Sequence, residues 1–394
     1  MDFDLTEDQR LLADSVGRLV ADRYADFERR QAARREPHGF STANWAAMAE
    51  LGLLGLPLTE EQGGFGGGPV ETMLVMEAFG RSLVVEPYLA SVVLGLGLLR
   101  RLPGQEGLAA RVAAGETILA FAHQERQARH DLHDVAMRAE PRDLAMRAEP
   151  RDLATRAEPA GEGFALSGAK GVVLHGDSAG VLLVSARLAG ARRDRAGIGL
   201  FLVDPAAAGV TRRGYATQDG LRAAEIVLEA APATLLLAEA LPLIELVVDE
   251  AIAALCAEAV GAMSALLDLT VDYLKQRRQF GQPIGAFQAL QHRAADMLVA
   301  TDQARSMAMY AAMMVQEPDA AARRTALSAA KALVSRNADL VGKDAIQLHG
   351  GIAMTEEYKA GHYFKRLSMI GTLFGDVDHH LRGVVAAGGL PEAS

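Results

Sequence analysis

Arg277-Arg278-Gln279-Phe280-Gly281-Gln282-Pro283-Ile284 closes one long apolar segment and leads into another. From Leu241 to Arg278 the chain is almost free of breakers, and it is too apolar for a single exposed surface helix. Beyond it, Leu290 to Val315, Arg323 to His349 and Tyr363 to Thr372 carry further helical patterns. The middle one ends in Gln347-Leu348-His349-Gly350-Gly351, where paired glycines stop a helix. Long antiparallel helices with short connections predict a C-terminal four-helix bundle over residues 236–394.

Upstream the period changes. Phe164 to Gly168, Val172 to Leu174, Val181 to Ala186 and Ile198 to Asp204 are short runs punctuated by glycine and polar residues. Ile198, Leu200 and Leu202 alternate, as a half-buried strand requires. This predicts a middle β-barrel or sandwich over 118–235. Residues 1–117 read as helical: Thr6 with Gln9 makes a capping box, and Leu12, Val16, Leu19 and Val20 fall on one face. Trp45 to Leu54 and Val70 to Phe79 continue the pattern. Gly63 to Pro69, between them, has neither a preceding strand nor a Gly-Lys-Ser/Thr ending, so it reads as a tight helix connection rather than a phosphate loop. The fold class is α+β, in three domains.

One segment fits neither pattern. Met137 to Ala145 recurs unchanged as Met146 to Ala154, and a third copy starts over Thr155 to Pro159. A proline in every copy works against a long helix and a central strand, so 137–159 reads as a duplicated surface loop.

Composition excludes several functions. A formal charge of −10 argues against a nucleic-acid partner. The lone Cys256 cannot form an intrachain disulfide and reads as a buried thiol. The opening Met1-Asp2-Phe3-Asp4 has no signal-peptide character, and the apolar window Ala231 to Val248 is interrupted by Glu239, Pro242 and Glu245. No membrane span and a cytoplasmic location are expected. Asp376, Asp378, His379 and His380 suggest metal ligands at first sight. Adjacent histidines point to different sides of a helix, and no further ligand spacing supports a site, so no metal is expected.

Arg277 to Ile284, Phe287-Gln288 and Gln347 to Gly351, in this order and spacing, resemble the flavin-binding signature of the acyl-CoA dehydrogenase family. The resemblance runs from Asp2 to about Leu381 and implies an N-terminal all-α domain, a middle β domain and a C-terminal bundle that packs into dimers and tetramers. It also implies FAD, with Arg277, Gln279, Phe280, Phe287, Gln288, Gln347, Gly350 and Gly351 contacting the pyrophosphate and adenosine of a cofactor held largely by a neighbouring subunit. Other positions depart from the family. Its Thr-Glu-Pro segment corresponds here to Ala122 to Arg129, and its Trp-Ile-Thr to Val172-Val173-Leu174. His123 and His175 are the polar residues beside these departures.

In many members of the family the catalytic base is the glutamate of Tyr-Glu-Gly-Thr. Here the matching residues are Leu373-Phe374-Gly375-Asp376, leaving Asp376 as the nearest carboxylate. A second family location lies on the long helix, where counting lands on Ala251, one residue after Glu250. One residue turns a helical side chain by roughly 100°, so Glu250 is a near miss. Glu250, Asp376, or no base in this chain remain as alternatives.

Within the family, Gly52 to Pro57, Gly63 to Met73, Leu119 to His123, Asp249 to Cys256 and Phe374 to Leu381 resemble the small-subunit branch of pimeloyl-CoA dehydrogenases. That resemblance implies α,β-dehydrogenation of an acyl-CoA or dicarboxylyl-CoA, a large dehydrogenase subunit or a second copy as partner, and an electron-transfer flavoprotein as electron acceptor. A non-catalytic subunit completing a partner's FAD site, and a flavin monooxygenase on the same fold, are the alternatives.

Overall fold

The expected capping box forms: Thr6 N donates to Gln9 Oε1 at 3.0 Å and Gln9 N to Thr6 Oγ1 at 3.2 Å. It starts α1 (Glu7–Tyr24) in a computed structural model that describes residues 5–24, 26–141 and 163–389. Then come α2 (Phe27–Arg35), α3 (Thr42–Glu50) and α4 (Pro69–Ser82). The helix expected to reach Leu54 ends early, because Gly52 takes a left-handed φ of +77° that turns the chain. A π-helical segment, Leu89–Leu96, runs into the short α5 (Gly97–Leu99), and α6 (Glu106–Ala113) completes the N-terminal layer.

The middle region is a closed sheet. Its strands are β1 (Leu119–Ala122), β2 (Arg138–Pro141), β3 (Gly163–Leu174), β4 (Val181–Arg187), β5 (Ile198–Val203), β6 (Val210–Ala216) and β7 (Arg222–Leu237). β5 pairs with both β7 and β4, so the order β4-β2-β3-β7-β5 returns on itself as a barrel. Two sequence expectations change here. β5 is not half-buried: Ile198, Leu200, Phe201 and Val203 are all fully buried, because one side faces the barrel interior and the other the helices. The first repeat copy is not all loop, since Arg138 to Pro141 pairs antiparallel with Phe164 to Ser167. The remainder of the repeat lies outside the described residues.

The C-terminal region follows the sequence closely. α7 (Leu241–Gln276) is succeeded by the two-residue strands β8 (Arg278–Gln279) and β9 (Gln282–Pro283). Then follow α8 (Gln288–Met314), α9 (Ala320–His349), α10 (Lys359–Thr372) and α11 (Val377–Ala386). By length and composition α7 could cross a membrane, but 83% of its most apolar window is buried within the fold. It is the central core helix. It crosses α4 at Gly80 and Gly261, where an added Cβ would overlap the carbonyl oxygens of Glu258 and Glu77.

The barrel is fastened to the helices by buried charge. Arg366 on α10 donates to both carboxylate oxygens of Glu258 on α7 at 2.6 Å, and to Asp219, in the β6–β7 turn, at 2.8 Å. Such a network holds its parts in one arrangement, since removing one partner strands a buried charge.

Candidate active site

A cavity of about 530 Å³ opens between the barrel, the N-terminal layer and the helical bundle. Leu94, Phe121, Val248, Ile252 and Leu373 give it an apolar floor. Its edges are polar: the 124–133 segment from the barrel, Glu245 and Arg324 from α7 and α9, and Asp376, His379 and Arg382 from the start of α11. An apolar cleft of this size with a few convergent polar groups suits a small organic ligand.

The barrel wall is built on a buried lysine. Lys170 donates to Glu125 Oε1 at 2.7 Å, the His123 carbonyl at 3.1 Å and Ser185 Oγ at 3.2 Å. Burial pushes its ammonium down to about 8, with Glu125 opposing. Burial pushes Glu125 up, but Lys170 and several hydrogen bonds more than offset this and hold it below the usual carboxylate range. Glu125 also accepts from the backbone N–H groups of Ala136 and Met137, which fixes the loop entering β2. His123 stacks on Phe121 and its Nδ1 lies 2.8 Å from Ser185 Oγ, with burial and then Lys170 holding the imidazole neutral. Val172 projects into the cleft with a left-handed φ of +49° and 37% exposure, an uncommon state for a β-branched residue. His175 is elsewhere, buried edge-on to Phe40.

The two candidate carboxylates part company. Glu250 does not line the cleft. It accepts from Arg100 at 3.0 Å and from Arg101 at 2.6 and 3.1 Å, beside a small void near Pro57 and Tyr88. One residue earlier, Asp249 is fully buried between Arg323 and Arg324, at 3.0 Å from each. Both carboxylates thus tie α7 to neighbouring helices. Asp376 does line the cleft, as the N-cap of α11, accepting from His379 N at 2.8 Å. That hydrogen bond, with His130 and Arg382 nearby, keeps its carboxyl below the usual range, opposite to the raised value suited to abstracting a weakly acidic proton.

Behind this loop Lys331 is fully buried. Its ammonium donates to the carbonyls of Ile370 at 2.7 Å and Gly375 at 3.3 Å, and so fixes the turn from α10 to α11. Phe374 (φ +56°) and Gly375 (φ +124°) make the turn tight. The adjacent histidines diverge: His379 faces the cleft, while His380 packs inward against Ser328. Neither Lys331, Lys170 nor His130 stood out in the sequence, because nothing local marks a charge as buried.

The second cluster lies at the far end of α7. Arg277 leaves the helix in extended conformation, its side chain exposed and free of hydrogen bonds among the described residues. Phe280 (φ +52°) and Gly281 (φ +80°) form the tip of the β8–β9 hairpin, a turn with both central residues left-handed. Phe280 is 91% exposed and its ring stands edge-on to Phe287 at 6.0 Å. Tyr273 of α7 packs on His349 of α9 with ring centroids 4.6 Å apart, bringing Gly350 and Gly351 to the same end. Both glycines have open space where a Cβ would project. Gln279, Gln288 and Gln347 are exposed around them. None of these residues lines the cleft. The fold therefore gathers the nucleotide-contact candidates in one place and keeps them apart from Asp376.

Comparison with known proteins bears on the family and the fold. The model of the acyl-CoA dehydrogenase N-terminal domain matches residues 6–102, and that of the C-terminal domain matches 247–389. The chain is 30% identical to the acyl-CoA dehydrogenase IpdE2 of Mycobacterium tuberculosis, over 91% of both proteins. Its fold is similar to that of a variant of the steroid ACAD Tcur3481-Tcur3483 (TM-score 0.83, 27% identity, 97% of both chains). It is also similar to the FAD complex of PigA (TM-score 0.85, 24% identity, 99% of this chain and 100% of that one). Matched at both ends of the chain and through the helical, barrel and helical fold between them, the protein belongs to the acyl-CoA dehydrogenase family.

Proposed function

We propose that this chain is a subunit of an FAD-dependent acyl-CoA dehydrogenase whose cofactor sites lie between chains. The observation that carries the reading is the separation of the Arg277–Gly351 surface from the cleft. A dinucleotide needs a fixed cation for its pyrophosphate, an apolar platform for its base and close backbone approach. Arg277, Phe280 with Phe287, and Gly350-Gly351 offer these on an exposed face, turned outward from their own chain. The residues present fit the group, with Gln279, Gln288 and Gln347 as hydrogen-bonding neighbours. FAD, when bound, supplies a two-electron acceptor. Within the cleft, the apolar floor excludes water around an acyl chain, and the Lys170–Glu125–His123 wall holds neutral and charged groups in fixed positions.

The substrate in this reading is an acyl-CoA. Arg129 and Arg382, which make no ion pair among the described residues, line the cleft and favour an anionic thioester, including the dicarboxylyl substrate of a pimeloyl-CoA dehydrogenase small subunit. The partner is a large subunit of the same fold or a second copy, in a cytoplasmic assembly that passes electrons to an electron-transfer flavoprotein. A second reading, a non-catalytic subunit completing its partner's FAD site, draws support from Glu250 being tied to two arginines and Asp376 being a helix cap.

One experiment separates the readings. The visible spectrum is recorded for the chain purified alone and after co-expression with a dehydrogenase-like partner, before and after acyl-CoA. We expect a colourless chain alone and a yellow assembly bleached by acyl-CoA. Bleaching that survives disabling the partner's own base assigns chemistry to this chain, and its loss assigns the structural role. An assembly without flavin would overturn both.

A further inference from the structure

With Glu250 outside the cleft and Asp376 held as a cap, the remaining titratable groups of the cleft can be sorted by what they already bind. His123 faces Ser185 at 2.8 Å, His133 pairs with Asp131 at 2.6 Å, and Glu245 pairs with Arg195 at 2.7 Å. His130 and His379 differ: among the described residues neither imidazole makes a hydrogen bond. They come from opposite sides, His130 from the segment between β1 and β2 and His379 from the first turn of α11. Their ring centroids are 5.3 Å apart at 61°. Both line the cleft, and both are half-buried.

We propose that the His130–His379 pair is the proton acceptor of this cleft, taking the α-proton of a bound acyl thioester while Asp376 holds the imidazolium that forms. The inference rests on the reading of the cleft as an acyl-CoA site. Burial is the first cause keeping both imidazoles below their ordinary value, so at pH 7 each presents a lone pair. Around His130 stand Asp376, which pulls its affinity for protons up, and Lys331, Arg129 and Arg382, which push it down. Around His379 stand Asp376 and Asp131 on one side of the balance, and His130 and Arg382 on the other. His380, behind, donates or accepts at Ser328 and faces away from the cleft. A carboxylate beside an imidazole stabilises its charged form without itself taking the proton, which gives Asp376 a positioning role.

The step balances. The α C–H bond breaks, its proton goes to an imidazole nitrogen, and its electron pair becomes the Cα=Cβ π bond. A bound flavin would supply the two-electron oxidant that takes the β-hydrogen with its electron pair, and the imidazolium formed on the histidine pair then releases its proton to water.

The test uses the flavin-loaded assembly in D2O with 3-thiaoctanoyl-CoA, whose β-sulfur has no hydride to give, so that α-proton exchange is read without turnover. Exchange is followed by mass shift and NMR, and binding by calorimetry. We expect the wild type to exchange α-protons, with a rate that rises with pH through a midpoint below 6.5 and then levels. His130→Gln/His379→Gln should bind the probe within a few-fold yet exchange about 100-fold or more slowly. His130→Ala/His379→Ala should regain exchange in added imidazole. Exchange that persists in the double variants, that follows Glu250→Gln instead, or whose midpoint in the wild type lies above 6.5 overturns the proposal. If binding is intact but no exchange occurs, the proposal alone fails. Absence of probe binding removes the acyl-CoA reading itself.

Discussion

At the residue scale the decisive facts are about which charges are committed. In the sequence Glu250 and Asp376 look alike, as carboxylates near expected positions. In the structure one is held by Arg100 and Arg101, and the other spends its oxygen on a helix N-terminus. Lys331 shows the same logic with a measurable consequence. Burial lowers its ammonium from 10.5 to about 8. Between those values the unfolded chain carries a proton that the folded chain has released, so stability rises with pH across that window. Each full unit is worth about 1.4 kcal/mol, and with both ends of the window only partly titrated wild type should gain roughly 2 kcal/mol over Lys331→Met between about pH 8 and pH 10. Urea unfolding of both proteins at the two pH values measures it. A stability difference that does not change with pH would mean that Lys331 is hydrated in the folded state.

At the scale of elements, the α4–α7 crossing is the tightest joint, since Gly80 and Gly261 let two backbones touch. Gly261→Ala must force the helices apart or bend one, at a cost of about 1–3 kcal/mol. Alanine favours a helix over glycine by about 1 kcal/mol, which offsets part of this. The net expectation is a lowered melting temperature for Gly261→Ala, whereas Gly17→Ala on α1, with open space at its Cβ, should raise it. Equal melting temperatures would remove the crossing as a constraint. This joint was not legible in the sequence, because a glycine inside a helix carries no sign of its partner. The long helices were legible: α7, α8 and α9 follow an apolar period sustained over many turns, and their observed ends lie within a few residues of the expected ones. The strands were half legible. β4 and β5 declare themselves as apolar runs, but β6, reading Val-Thr-Arg-Arg-Gly-Tyr-Ala over 210–216, is polar and pairs with β7 alone among the described residues. β2 hid inside a repeat whose prolines suggested a loop. Of the candidate site, the Arg277–Gly351 group was legible as three spaced motifs. The cleft was not, since its histidines come from segments more than two hundred residues apart, one from the barrel and one from α11, that meet where the barrel packs on the helical bundle.

At the scale of the whole molecule, the cleft and the Arg277–Gly351 surface are separate places on one chain, since none of the latter residues lines the former. The hairpin tip is costly to hold by itself: Phe280 sits in a left-handed conformation, 91% exposed, with the ring of Phe287 edge-on beside it. An exposed aromatic in a strained turn gives little to its own fold, so its value has to come from what covers it. If a neighbour's cofactor does so, the two properties separate. Arg277→Ala and Phe280→Ala should each leave the thermal stability of the isolated chain within about 0.5 kcal/mol of wild type, as exposed substitutions do. In the assembly, loss of a charge-assisted phosphate contact costs about 1.5–3 kcal/mol, so Arg277→Ala should weaken FAD retention by roughly 10- to 100-fold. Flavin absorbance per chain after gel filtration, compared with the melting temperature of the same preparations, tests both at once. A variant that loses stability alone would make the hairpin a folding element. One that loses flavin while the isolated chain stays intact would make this surface the half of the site that each chain gives to its neighbour.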